Sequence, residues 1–131
     1  MEWLVDLHSI WRWVVLLAAV GALVFSSLAA VGTRPWDSLA DRLSFFFTIA
    51  LDVQVLIGAV VWLLNEGWAR DAFIGFIHPV LMLGAVAVAH VGRARSERVT
   101  DSRTRGRVAL VFFLVSLIII IVAIPTASWP I

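Results

Sequence analysis

Four apolar runs dominate this 131-residue chain. Each is close to the roughly 20 residues with which a helix crosses about 30 Å of hydrocarbon, and that leaves very little choice of architecture. They cover about residues 8–32, 43–65, 72–92 and 107–127, and within them only Arg12, Asp52 and the opening Arg107 carry a full charge. In lipid a segment satisfies its own backbone only as a helix or in a closed barrel, and long runs without alternation read as helices. With 62% hydrophobic residues there is too little polar surface to cover a water-facing sphere. The expectation is an all-α fold: a transmembrane four-helix bundle, one membrane domain over 1–131, connected at 33–42, 66–71 and 93–107. Glu2 and Asp6, with no early basic residue, do not read as a cleaved leader, so the first run is expected to be retained.

Charge placement predicts the orientation. The connections after the first and third runs carry Arg34, Arg42, Arg93, Arg95, Arg98, Arg103, Arg105 and Arg107, whereas the other side has only Arg12 and Arg70. Basic residues favour the cytoplasmic side, so the expected topology is N-out/C-out with the 93–107 hairpin cytoplasmic. Trp3, Trp11, Trp13, Trp62, Trp68 and Trp129 then fall near the outer interface and Trp36 near the inner one, where indoles prefer to lie. The 93–107 stretch has a net charge of +4, six Arg against Glu97 and Asp101. Topology accounts for that charge, so contact with anionic membrane lipid is expected and nucleic-acid binding is not.

Within the spans, Ala18, Ala22, Ser26 and Ala30 recur every four residues, a small-residue stripe that lets a neighbouring helix approach closely. Pro79 removes the hydrogen bond to the Gly75 carbonyl, which predicts a kink and a freed carbonyl beside His78.

The chain has no cysteine, which excludes disulfides, thiolate metal sites and covalent haem attachment. Any metal or cofactor rests on His, Met or carboxylate. Charged groups in hydrocarbon cost about 2.5 to 3.5 kcal/mol on insertion scales, so intramembrane polar residues are the candidates. These are His8, Arg12, Asp52, Gln54, His78 and His90. His8 and Arg12 share a helix face, which suits an iron ligand beside a propionate partner and equally suits a polar helix start with Arg12 snorkelling outward. His78 lies deeper, where an imidazole bonds across helices, titrates or binds a ligand. Spans one and three run parallel, so His8 and His78 are able to grip one haem from two helices. Met82, one turn from His78, adds a His and Met pair of the kind that suits copper(I), although Met is also a common core filler. His90 is expected near headgroups or a loop carboxylate. Asp52 needs a partner such as Arg12 or a proton, and proton relay and helix pairing both stay open. Gln54 reads as interhelical glue.

The set Leu7-His8-Ser9, Arg12-Trp13, Asp52-Val53-Gln54 before Gly58, His78-Pro79 with Met82, Ala89-His90-Val91-Gly92-Arg93 and Ile124-Pro125 resembles a family of small four-span bacterial membrane proteins labelled cytochrome b-like or uncharacterised. The resemblance covers nearly the whole chain. It implies a bacterial inner-membrane protein that holds non-covalent haem b, with His8 and His78 as ligands and Arg12 as propionate partner. Some relatives place a further His on span two near Asp52, and its absence here weakens any scheme with two haems. The leading expectation is therefore a b-type cytochrome-like protein that transfers electrons, with quinone or another redox partner, alone, as an oligomer or as a subunit of a larger complex. The rivals are a cofactor-free scaffold or accessory subunit and a small copper-handling or transport protein using His78 and Met82.

Overall fold

A computed structural model describes residues 2–125 and is all-helical over them. Trp129 and the last residues of the fourth expected run lie outside the described residues. The helices are α1 (Glu2–Ala30), α2 (Ser38–Leu64), α3 (His78–Glu97) and α4 (Ser102–Ala123), with a π-helical segment, Phe73–Ile77, leading directly into α3. Four helices are long and apolar enough to cross a membrane, counting Phe73–Glu97 as one. Helix α1 packs tightly on both α2 and α4, and α4 on α3, while α2 and α3 are in contact more loosely.

The helices reach further than the apolar runs. Helix α1 starts by Glu2 rather than at residue 8, which carries His8 one and a half turns into regular helix. The polar stretch 93–107 is also mostly helical rather than a loop: α3 continues to Glu97 and α4 begins at Ser102. The cause is local, because Arg93 pairs with Glu97 at 3.2 Å one turn on and the Asp101 carboxylate accepts from the Thr104 amide as an N-cap. At the start of α2, Asp37 caps Ala40 in the same way and holds Arg34 at 2.9 Å. Both carboxyls lie below the ordinary aspartate range, Asp37 through the Ala40 amide and then Arg34, Asp101 through the Thr104 hydroxyl and then its amide. Helix α1 ends through Gly32, whose φ of 81° suits a residue without Cβ, while the Thr33 amide bonds back to the Leu28 carbonyl.

The interior is built from small residues. Ala19, Ala22, Ala50, Ala85, Ala89 and Ala109 are almost completely buried, whereas Leu17, Leu56, Leu83 and Val122 face outward. Lipid is as apolar as leucine, so burying large side chains gains little there and close backbone contact gains more. The α1 stripe Ala18, Ala22, Ser26 and Ala30 is buried, as the four-residue spacing predicts. Its neighbour at one end is α4, where a Cβ on Gly106 would lie 2.5 Å from the Ala30 amide nitrogen and 2.7 Å from the Ser26 carbonyl. Phe47 and Phe113 are the largest fully buried side chains, packed edge to face at 5.4 Å.

At the arginine-rich end, α2, α3 and α4 are clamped together by charge. Arg93 donates to the Ser44 hydroxyl and the Asp41 carbonyl, and Arg105 reaches the Asp41 carboxylate at 3.3 Å while its guanidinium lies over Trp36. The Ser102 hydroxyl accepts the Trp36 amide at 3.0 Å, tying the α1–α2 connection to α4.

Candidate functional site

The opposite end, where α1 starts and α4 stops, is open. A cavity of about 600 Å³ lies there among all four helices, within the size range of small-molecule and cofactor sites. Its wall includes His8, Arg12, Gln54, Gly58, His78 and Met82, and Arg70 and Asp71 stand at its rim.

His78 reaches this cavity through a chain of backbone causes. Pro79 has no amide to offer the Gly75 carbonyl, and the backbone ahead of it widens into the π-helical turn, with the His78 amide bonded to the Phe73 carbonyl. The freed Gly75 carbonyl does exist, and the Trp62 indole N–H of α2 donates to it at 3.0 Å. Gly75 is required there, since a Cβ would meet the Gly67 carbonyl oxygen at 2.9 Å. Across the cavity α4 is ending, so its last carbonyls lack helical donors. The His78 Nδ1–H donates to one of them, the Ala123 carbonyl, at 2.7 Å. That bond fixes the ring tautomer and leaves Nε2 with its lone pair, the arrangement by which metal-binding imidazoles are usually oriented.

His8 faces His78 from α1. The two ring centres are 6.3 Å apart and the ring planes stand at 86°. A metal bound by both imidazoles at the usual 2.0–2.1 Å would put the ring centres on the order of 6 Å apart, so the observed spacing fits one shared metal. The Nδ1 of His8 is buried and has no hydrogen-bond partner among the described residues. The missing side chain of Gly58 makes room for the ring, because a Cβ there would sit 3.0 Å from the His8 Cε1. Gln54 fixes the same turn of α1, its Nε2 donating to the His8 carbonyl at 2.8 Å, and Trp11 adds a second tie by donating to the Ala50 carbonyl at 2.8 Å.

Two cations border the cavity. Arg12 is only 8% exposed, with its guanidinium 5.6 Å from the centre of the Trp13 ring. Arg70 is exposed at the rim and donates to the Asn65 carbonyl. The rim carboxylate of Asp71 is engaged as a cap on the Ile74 amide. Among the described residues no group of three or more His, Asp and Glu stands ready to hold a bare metal ion. The pair supplies two nitrogen donors, so a metal held there would have to bring its remaining ligands with it, as one in a macrocycle does.

The sequence candidates divide cleanly. His8, Arg12, Gln54, His78 and Met82 converge on this cavity, with Met82 buried in its wall. Asp52 and His90 do not. Of the partners open to Asp52 the structure gives His90, whose Nε2 lies 2.7 Å from the carboxylate, so His90 meets a carboxylate of α2 and not one of the loop. The physical reason is helix geometry: Asp52 and Gln54 lie 200° apart around α2, so one faces α3 while the other faces α1. Sequence reading missed Gly58, Arg70, the Trp62 indole bond and the Ala123 carbonyl. Only the freed carbonyl beside Pro79 hinted that a donor had to be found. Comparison of the chain with known protein families, curated proteins and solved structures finds no match.

Proposed function

We propose that the chain is a b-type cytochrome-like membrane protein that holds one non-covalent haem b between His8 and His78 and transfers electrons. The observation that carries this reading is the opposed imidazole pair at 6.3 Å inside a cavity of about 600 Å³, one ring already oriented through Nδ1. Iron so held would change between ferric and ferrous states, a one-electron step. The roles of the chain's own residues follow from their positions. His8 and His78 would hold the iron through ring nitrogens, and the Ala123 carbonyl raises the basicity of His78 by accepting its Nδ1–H. Arg12 and Arg70 provide positive charge for two propionates, and the Met82 and Ile120 side chains keep the wall apolar and exclude water. A redox partner, including a membrane quinone, belongs to the same proposal. So does the orientation: the arginine-rich end lies in the cytoplasm of a bacterial cell and the cavity opens towards the outer side of its inner membrane.

Absorption spectra of the purified protein, oxidised and dithionite-reduced, after expression with ample haem, test this directly. A Soret band with sharp α and β bands on reduction is expected, lost in His78→Ala and in His8→Ala while the variants still accumulate in the membrane. A wild-type protein without a Soret band ends the proposal. A copper reading draws on Met82 in the cavity wall, and stoichiometric copper in metal analysis of such haem-free protein would favour it.

A further inference from the structure

At the arginine-rich end the acids are already committed. Arg34 holds Asp37, Arg93 reaches Asp41 and Glu97, and Arg105 shares Asp41. The remaining carboxylate, Asp101, caps α4 in the field of Arg107 and Arg103. Arg95 and Arg98 are left over. Both are exposed, and among the described residues neither side chain has an ion pair or a hydrogen bond.

These two arginines stand three residues apart on one face of the end of α3 and line the same groove, of about 420 Å³. Val99 lies beyond them, and Val108 and Phe112 of α4 form the opposite wall, with no acid among the lining residues. The groove is graded in polarity along the bundle. Gly92 lets α4 come close, because a Cβ there would overlap that of Phe112, so Phe112 marks the level of Gly92. Arg95 then lies about 4.5 Å nearer the α3–α4 connection and Arg98 about 9 Å nearer. In the other direction, Val91 on the face of Arg95 and Val115 on the face of Phe112 are exposed, so the apolar end runs out onto the lipid-facing surface.

We propose that this α3–α4 groove binds one anionic phospholipid, its phosphate held by Arg95 and Arg98 and the start of an acyl chain lying on Val108 and Phe112. A guanidinium presents a fork of N–H donors that matches phosphate oxygens, and two that lack carboxylates have those donors to give. A zwitterionic lipid carries the same phosphate but brings an ammonium group against two unmatched cations. Free phosphate and nucleic acid have nothing to lay on Phe112. The general attraction of residues 93–107 for an anionic leaflet is thereby narrowed to one place, a basic pocket between two membrane-spanning helices.

Titration of the protein in neutral detergent micelles with phosphatidylglycerol or phosphatidylcholine, read by native mass spectrometry, tests this. A first phosphatidylglycerol adduct is expected at about tenfold lower lipid concentration than a phosphatidylcholine adduct. The double variant Arg95→Gln with Arg98→Gln should abolish that preference. Arg42→Gln with Arg103→Gln removes the same charge from exposed positions outside the groove and should preserve it. All four side chains are exposed, so unchanged helicity by circular dichroism is expected in both variants. Equal binding of the two lipids by the wild type, an equal loss of preference in both double variants, or a preference that survives Arg95→Gln with Arg98→Gln overturns the proposal. None of these readouts depends on haem.

Discussion

Replacing Gly106 by alanine tests how far the fold depends on backbone contact between α1 and α4. The added Cβ would lie 2.5 Å from the Ala30 amide nitrogen, 2.7 Å from the Ala29 Cβ and 2.7 Å from the Ser26 carbonyl oxygen. To restore an ordinary contact of 3.4 Å the two helices must separate by about 0.7 to 0.9 Å, and none of the three atoms belongs to a flexible side chain. Overpacking of this kind destabilises by about 1 to 3 kcal/mol, and alanine's better helix propensity returns up to about 1 kcal/mol. Gly84→Ala is the matched control, because a Cβ there meets nothing within 4 Å, so only the propensity gain applies. The two variants should therefore differ by about 1 to 3 kcal/mol in reversible unfolding from mixed micelles, with Gly84→Ala at or above the wild type. Equal stability of the two variants would refute the claim that small residues set the α1–α4 distance. The strain should also reach the cavity, because α4 supplies the Ala123 carbonyl to His78.

Trp62→Phe keeps the ring but leaves the Gly75 carbonyl without its donor, so a loss of about 1 to 3 kcal/mol is expected in the same unfolding assay, and a loss below about 0.5 kcal/mol would mean that another group takes over the carbonyl. The helix caps predict the acid response. Asp37 and Asp101 both have carboxyls depressed in the folded state, so their contribution is complete above the ordinary aspartate value of 3.8 and is lost as pH falls below it through the folded value. Stability should be level from pH 7 to about 5 with respect to these two groups and fall below about 4, and Asp37→Asn with Asp101→Asn should reduce that acid-induced fall in thermal unfolding scans.

The four spans were readable because a helix in lipid is reported by one-dimensional composition alone, and Pro79 with its freed carbonyl because a proline deletes a known hydrogen bond. Helix ends were misread where polarity was taken for irregularity: Arg93, Arg95 and Glu97 continue α3 because an i, i+4 ion pair is compatible with helix outside the apolar layer. The opposition of His8 and His78 was legible from parallel spans at comparable depth. The partner of Asp52 was not, since which of two neighbouring helices a side chain faces depends on the rotation of α2 in the bundle, and nothing in the spacing of Asp52, Arg12 and His90 measures that rotation. Gly58 and Ala123 were invisible for a related reason. One acts by lacking a side chain, which its identity shows without showing that the His8 ring fills the space, and the other acts through its backbone, which residue identity does not record.

The two ends of the bundle differ because their backbones end differently. At the arginine-rich end the helix termini are met locally, by Asp37, by Asp101, by the turn through Gly32 and, after α3, by the Arg98 and Val99 amides on the Arg95 and Ser96 carbonyls, so the side chains there are free to clamp α2, α3 and α4 through Asp41. At the other end the Gly75 carbonyl is freed by the missing amide of Pro79 and the Ala123 carbonyl by the end of α4, and each takes a ring N–H from a different helix, Trp62 and His78. Those bonds tie α2 to the segment leading into α3, and α3 to α4, beside the cavity. The bond that satisfies Ala123 is also the one that turns the free nitrogen of His78 away from α4. Closing the helix end and presenting an imidazole are thus a single structural event, and a change that repairs the helix terminus another way should release the ring.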